Sequence, residues 1–254
     1  MKRFCLFLIL SFSFELLSAQ SPQVIEADLL KSFKKIDYWA THQDANLKWI
    51  DNLDKANNAF AKKLSFYARN NPSVISYPFT SLIRDYLDIS TSDDDQLRIY
   101  SWDTQTGGTE HFFENVFQYK VGKKTSTIVD TPKKEGDIRP NYRKIYTLRA
   151  NNKTYYLAEW LDIGSTRIYA KGIHIFTIDR DKLIDGKIIK TQTGLHDELE
   201  FDYDLGLIMS EEEPSIKFDE KKSIIKMPLI QSNGKVTSQL IIYKFNGQYF
   251  EKVK

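Results

Sequence analysis

The feature that most limits how this chain can fold is a change of hydrophobic period at Leu87. Before it, apolar residues recur at helical spacing, through Leu29, Phe33, Ile36 and Ala40 and then Ile50, Leu53, Ala56, Phe60, Leu64 and Tyr67. Such a repeat puts one apolar stripe on one face of a helix. After Leu87 the period falls to two, in segments such as Gln96 to Trp102, Tyr142 to Arg149, Thr154 to Trp160 and Arg167 to Ile178. Turn residues, Asn151-Asn152 and Asn246-Gly247 among them, separate these segments. Short turns make neighbours antiparallel, and no helix-length pattern interrupts them. The expected fold is mainly β with an N-terminal α-helical prefix, its antiparallel sheets forming a sandwich, a barrel or a small propeller-like stack. The expected divisions are a signal peptide over 1–19, a helical prefix over 20–86 packed on the β region, and an antiparallel β domain over 87–254.

Within the prefix, the stripe breaks at Thr41-His42-Gln43-Asp44, where Asp44 suits an N-cap, and stops at Asn70-Asn71-Pro72. A short helix is expected over Pro78 to Tyr86. In the β region, Gly172 falls inside a long strand and predicts a bulge or bend. Residues Thr131 to Pro140 read as a polar excursion between strands. Blocks over 87–131, 142–193 and 198–253 hint at repetition, and Trp102-Asp103 resembles the Trp-Asp dipeptide of WD-type propellers, in a single copy.

The first nineteen residues read as an export signal. Lys2 and Arg3 precede an apolar core from Phe4 to Phe14, and Leu17-Ser18-Ala19 supplies small residues for cleavage before Gln20. The apolar run is shorter than the ~20 residues needed to span a bilayer, so no integral membrane segment is expected after cleavage. The single cysteine, Cys5, leaves with the signal, and 235 of the 254 residues remain. A mature chain without cysteine has no disulfide, no thiolate nucleophile and no Cys-ligated zinc. The net charge of +2 becomes +1 once Lys2, Arg3 and Glu15 are gone, so no nucleic-acid partner is expected.

Catalytic signatures are missing. There is no Gly-x-Ser-x-Gly elbow, no His-Glu-x-x-His and no phosphate-cradling glycine loop. No catalytic residue, metal ligand or cofactor is assigned from sequence. The Asp93-Asp94-Asp95 turn and the Asp179-Arg180-Asp181 segment read as turns rather than calcium loops. Residues 198–205 alternate without a fault, with Glu198, Glu200, Asp202 and Asp204 on one face and Leu199, Phe201, Tyr203 and Leu205 on the other. Like charges along one face repel, and lysines on the adjacent strand are expected to compensate them. The candidate ligand site lies instead in the Trp102 to His111 turn. Gly107 and Gly108 permit close backbone approach, while Trp102, Asp103, Thr106 and His111 supply a stacking ring and hydrogen-bonding groups.

The motif Arg98-Ile-Tyr-Ser-Trp-Asp-Thr104 through Thr106-Gly-Gly-Thr109, with the signal ending Leu17-Ser18-Ala19-Gln20 and a Lys/Asn/Ile/Tyr-rich composition, resembles uncharacterised exported proteins of Bacteroidota-type bacteria. That family has no established activity, so the resemblance implies a periplasmic or extracellular location. The expected function is non-enzymatic binding of a small polar or glycan ligand, or of an envelope partner. The alternative is a hydrolase acting on a surface polymer through Glu and Asp acid-base residues. An accessory subunit docking through the helical prefix would leave an apolar stripe exposed over residues 29–67.

Overall fold

A computed structural model describes residues 20–84, 86–130, 139–208 and 213–253. Two helices open the chain, α1 (Pro22–Thr41) and α2 (Lys48–Asn70), followed by a 3-10 turn over Pro72–Ser76 and a single-turn helix α3 (Thr80–Ile83). Ser21 caps α1, and Asp44 accepts from the backbone N–H of Lys48 at the start of α2 (3.1 Å). The expected helix from Pro78 shrinks to one turn because Phe79 takes a left-handed backbone, with φ of 49°.

The strands form three sheets. The first runs β1 (Asp88–Thr91), β2 (Leu97–Asp103), β3 (Phe113–Val121), β4 (Lys124–Asp130), in that order. The second holds β5 (Asn141–Ala150), β6 (Lys153–Ile163), β7 (Ile168–Asp179) and β11 (Glu198–Asp204) in the order 11-7-6-5, with β8 (Lys182–Asp185) hairpinned to β7. The third has the order 10-9-15-14-13-12, built from β9 (Ile189–Lys190), β10 (Leu195–His196), β12 (Lys217–Asp219), β13 (Ile224–Ile230), β14 (Val236–Phe245) and β15 (Phe250–Lys252). All pairs among the described residues are antiparallel except β9 with β15, which is parallel. Residues Phe250–Lys252 thus occupy an interior position of the third sheet, and Phe250 is fully buried.

Alternation along the strands dictates how the layers stack. Tyr100, Trp102 and Val116 face the helices and join Leu29, Phe33, Phe60 and Leu64 in one core. Leu97, Ile99, Phe117 and Tyr119 face the other way, onto Tyr142, Tyr156, Ala158 and Phe176 of the second sheet. The far face of the second sheet presents Leu157, Ile173, Ile175 and Phe201 to Ile225, Met227 and Phe250 of the third. The result is helices, sheet, sheet, sheet: a stack of layers, not a propeller. Most of the prefix's apolar stripe, from Leu29 to Ile36 and from Leu53 to Leu64, is buried between the two helices and the first sheet, while Ile50 stays exposed.

Two local readings change. The register runs unbroken through Gly172, paired with Trp160 on one side and Glu200 on the other, so the glycine makes no bulge. A Cβ there would lie 2.4 Å from the Trp160 ring, so the missing side chain makes room for an indole lying across β7. The irregularity falls between Tyr142 and Lys144 instead, and it lets Tyr142 and Ile145 both face the first sheet. The strand expected from Glu110 begins at Phe113. Most of the Thr131 to Pro140 excursion, like the 1–19 segment, lies outside the described residues.

Candidate functional site

The Trp102 to His111 turn is tied into the fold. Trp102 is 1 % exposed, its indole N–H donates to Asn57 Oδ1 on α2 (3.1 Å), and its ring meets Phe60 edge-on. Asn57 in turn donates to the carbonyls of Leu53 and Thr104. No ligand can stack on this ring while α2 covers it, so the expected stacking platform is a core side chain. Asp103 Oδ1 accepts from the Gln105 backbone N–H (2.8 Å), and Oδ2 lies 2.5 Å from His111 Nδ1. Thr106 bonds Thr104, side chain to side chain. At Gly107 a Cβ would come within 2.0 Å of the Glu110 carbonyl, so that glycine serves the loop's own backbone. Gly108 faces open space. A recess of about 240 Å³ touches Trp102 and Asp103 but not Gly107, Gly108 or His111.

The larger cavity, about 610 Å³, opens on the opposite face of the first sheet, between it and the second. Its floor is aromatic, from Phe117, Tyr142, Trp160 and Phe176, and its wall is acidic. Three rows of cross-strand neighbours build that wall on β6, β7 and β11: Ala158–His174–Glu198, Trp160–Gly172–Glu200 and Asp162–Ala170–Asp202. The alternation seen in residues 198–205 therefore aims Glu198, Glu200 and Asp202 into the cavity, with Leu199, Phe201 and Tyr203 in the core behind.

The expected compensating lysines are not on the adjacent strand's facing side. There β7 offers Ala170, Gly172 and His174, while Lys171 points to the other face, over the Tyr203 ring and against Glu213. Asp204 alone is matched, by a two-pronged bond from Arg167. At the rim, Arg139 pairs with Asp130. Glu200 and Asp202 make no ion pair with any described residue.

Burial holds the Asp162 carboxyl up at about 6, with Glu110 and Asp202 adding repulsion, and its Oδ1 is buried without a partner. Burial also raises the Glu198 carboxyl, against the pull of His174. Trp160 Nε1 is close enough to Glu198 to be felt there, but the two do not meet hydrogen-bond geometry, so this buried N–H is also unsatisfied. Such groups cost roughly 1–3 kcal/mol each when left unpaired, and they cluster where a polar ligand would enter.

His174, on the wall's first row, has Nε2 3.1 Å from Asp185 Oδ1 and Nδ1 3.3 Å from the Tyr142 hydroxyl. Its bond draws the Asp185 carboxyl below its ordinary value. Asp197 completes a trio whose ligand atoms all lie within 4.8 Å of one another. Comparison with protein-family models, with curated proteins and with solved structures found no match to this chain.

Of the residues that line this cleft, the acidic face of β11 shows in the sequence as an unbroken alternation. Trp160, Asp162, His174 and Asp185 do not, because no pattern within β6, β7 or β8 sets them apart from the other polar residues there. Only the pairing of β6, β7, β8 and β11 brings them together.

Proposed function

We propose that this chain is an exported, non-enzymatic binding protein of the Bacteroidota-type family it resembles, and that its ligand occupies the cleft between the first and second sheets. The observation that carries this reading is the acidic face of β11 turned into an aromatic-floored cavity where Glu200 and Asp202 meet no cation among the described residues. Carboxylates accept hydrogen bonds from hydroxyl and ammonium groups, and aromatic rings cover the apolar faces of sugars. The same charge repels uronates and phosphates. The ligand class is therefore a neutral or amine-bearing saccharide. Calorimetric titration with neutral, amine-bearing and uronate oligosaccharides tests it. One of the first two is expected to bind and the uronates are not, and the pair Glu200→Gln with Asp202→Asn is expected to weaken binding on the order of tenfold or more. Absence of binding by either class, or an unchanged affinity in the double variant, defeats the reading.

A hydrolytic reading rests on one observation, the buried Asp162 carboxyl, held up at about 6 with its Oδ1 unpaired, which lies across Ala170 from Asp202. The two lie two strands apart, about 10 Å between their Cα atoms at ordinary strand spacing. That leaves space for a water between an acid and a base, as inversion at a glycosidic carbon requires. Turnover of an oligosaccharide that Asp162→Asn abolishes without loss of binding supports this reading; binding without turnover leaves the first.

A further inference from the structure

His174, Asp185 and Asp197 belong to three separate chain segments, and the fold brings them to one corner of the cleft. Ile175, the residue beside His174, holds the other two in place. Its N–H takes the Asp197 carbonyl and its carbonyl takes the N–H of Gly186, the residue after Asp185, both at 2.7 Å. A Cβ at Gly186 would crowd Ile175 and Tyr155, so the chain turns tightly as it leaves Asp185. The imidazole is fixed as well. Its ring lies 4.1 Å from that of Phe176, and the hydroxyl of Tyr142, itself 3 % exposed, meets Nδ1. A histidine that ligates metal through one ring nitrogen is oriented by an acceptor on the other, a place that the Tyr142 hydroxyl oxygen takes here.

We infer that this corner is a binding site for a divalent transition cation of the zinc type, with His174, Asp185 and Asp197 as its protein ligands. One imidazole and two carboxylates suit that ion's preference for nitrogen and oxygen donors. Donor atoms bonded to zinc at about 2.0–2.2 Å stand no more than about 4.4 Å apart. The trio spans at most 4.8 Å, and Asp185, with a half-exposed side chain, is free to turn inward by the difference. The surroundings agree. Glu198, directly across from His174, adds a carboxylate that feels both His174 and Asp197. Trp160 Nε1, on a side chain only 7 % exposed, is the unpartnered donor beside that same glutamate. Three protein ligands leave a coordination position for water or a ligand oxygen.

The test uses the full chain and Zn²⁺ alone, with no saccharide, so it stands apart from the cleft-ligand reading. Competition against a chromophoric chelator at neutral pH is expected to show one equivalent bound. Asp185→Asn, Asp197→Asn and His174→Ala should each lose that uptake, and Tyr142→Phe should weaken it by roughly 10- to 100-fold. Circular dichroism identifies any variant that fails to fold, and the exposed Asp185→Asn keeps the test decisive if His174→Ala does so. His111→Ala, which breaks the other His–Asp pair among the described residues, should leave uptake unchanged. Cobalt substitution should give a visible spectrum that Asp197→Asn removes. The assignment is overturned if the wild-type chain binds no zinc, if Asp185→Asn and Asp197→Asn bind as tightly as wild type, or if His111→Ala abolishes uptake.

Discussion

His111 and His174 each sit against an aspartate, 2.5 Å from Asp103 and 3.1 Å from Asp185, yet the two pairs have different work. The first closes a turn. Its aspartate is already shared with the Gln105 N–H, its histidine side chain is partly open to solvent, and no third donor converges on it among the described residues. The second lies on a sheet wall, with Tyr142 behind it, Asp197 and Glu198 around it, and a cavity in front. The same two residue types make a loop clasp in one place and a binding corner in the other. What separates them is the number of strands that bring further groups to the pair.

The difference can be broken in graded steps. The largest effect is expected at Trp102, whose removal empties a filled site between β2 and α2 and orphans Asn57. Trp102→Ala should lower stability by about 3–5 kcal/mol, read from the urea midpoint. A variant that unfolds at the wild-type midpoint would reopen the turn as a candidate binding surface.

Glu114 tests the helix-facing side of the same sheet. Burial, with Asp54 on α2 adding repulsion, lifts its carboxyl to about 7 from the ordinary 4.5. The folded state therefore prefers the protonated form. Its contribution is complete below pH 4.5 and is lost as the pH climbs through 7. Glu114→Gln should match wild type near pH 4 and exceed it above pH 7 by at most about 3 kcal/mol. Parallel pH-stability curves for the two proteins would contradict this.

At the cleft, Gly172→Ala places a methyl where the Trp160 ring lies. An expected cost of about 1–3 kcal/mol should come with a shift in tryptophan emission and a weaker cleft ligand. The smallest effect belongs to His111→Ala, expected to change stability by less than about 1 kcal/mol because the pair is solvent-screened. A larger loss would mean that the turn supports more of the fold than its contacts indicate.

These contrasts explain what the sequence could and could not disclose. The switch of period at Leu87 and the turns at Asn151-Asn152 and Asn246-Gly247 were enough for a helical prefix on antiparallel sheets, because those are local signals. Trp102 was misread because a tryptophan flanked by polar residues looks alike in a core and on a platform. Asn57, a polar residue within the buried stripe of α2, is the local sign that something polar must meet it there. Gly172 was legible as special but not as the bed of an indole twelve positions earlier, since that needs the β6–β7 register. The lysines expected beside β11 were misplaced by one residue: Lys171 is next to Gly172, on the opposite face.

The parallel pairing of β15 with β9 also bears on the order of folding. During synthesis, Ile189 and Lys190 emerge some sixty residues before Phe250, the partner that links them to the rest of the third sheet. Until residues 250–252 slot between β9 and β14, that sheet is two fragments and the core around Ile225 and Met227 has an open side. The first two layers depend mainly on near-neighbour hairpins, whereas the third must wait for a long loop to close. A stalled or shortened chain would therefore carry a formed cleft wall above an unfinished base, and that exposed seam is where protease or chaperone would first take hold.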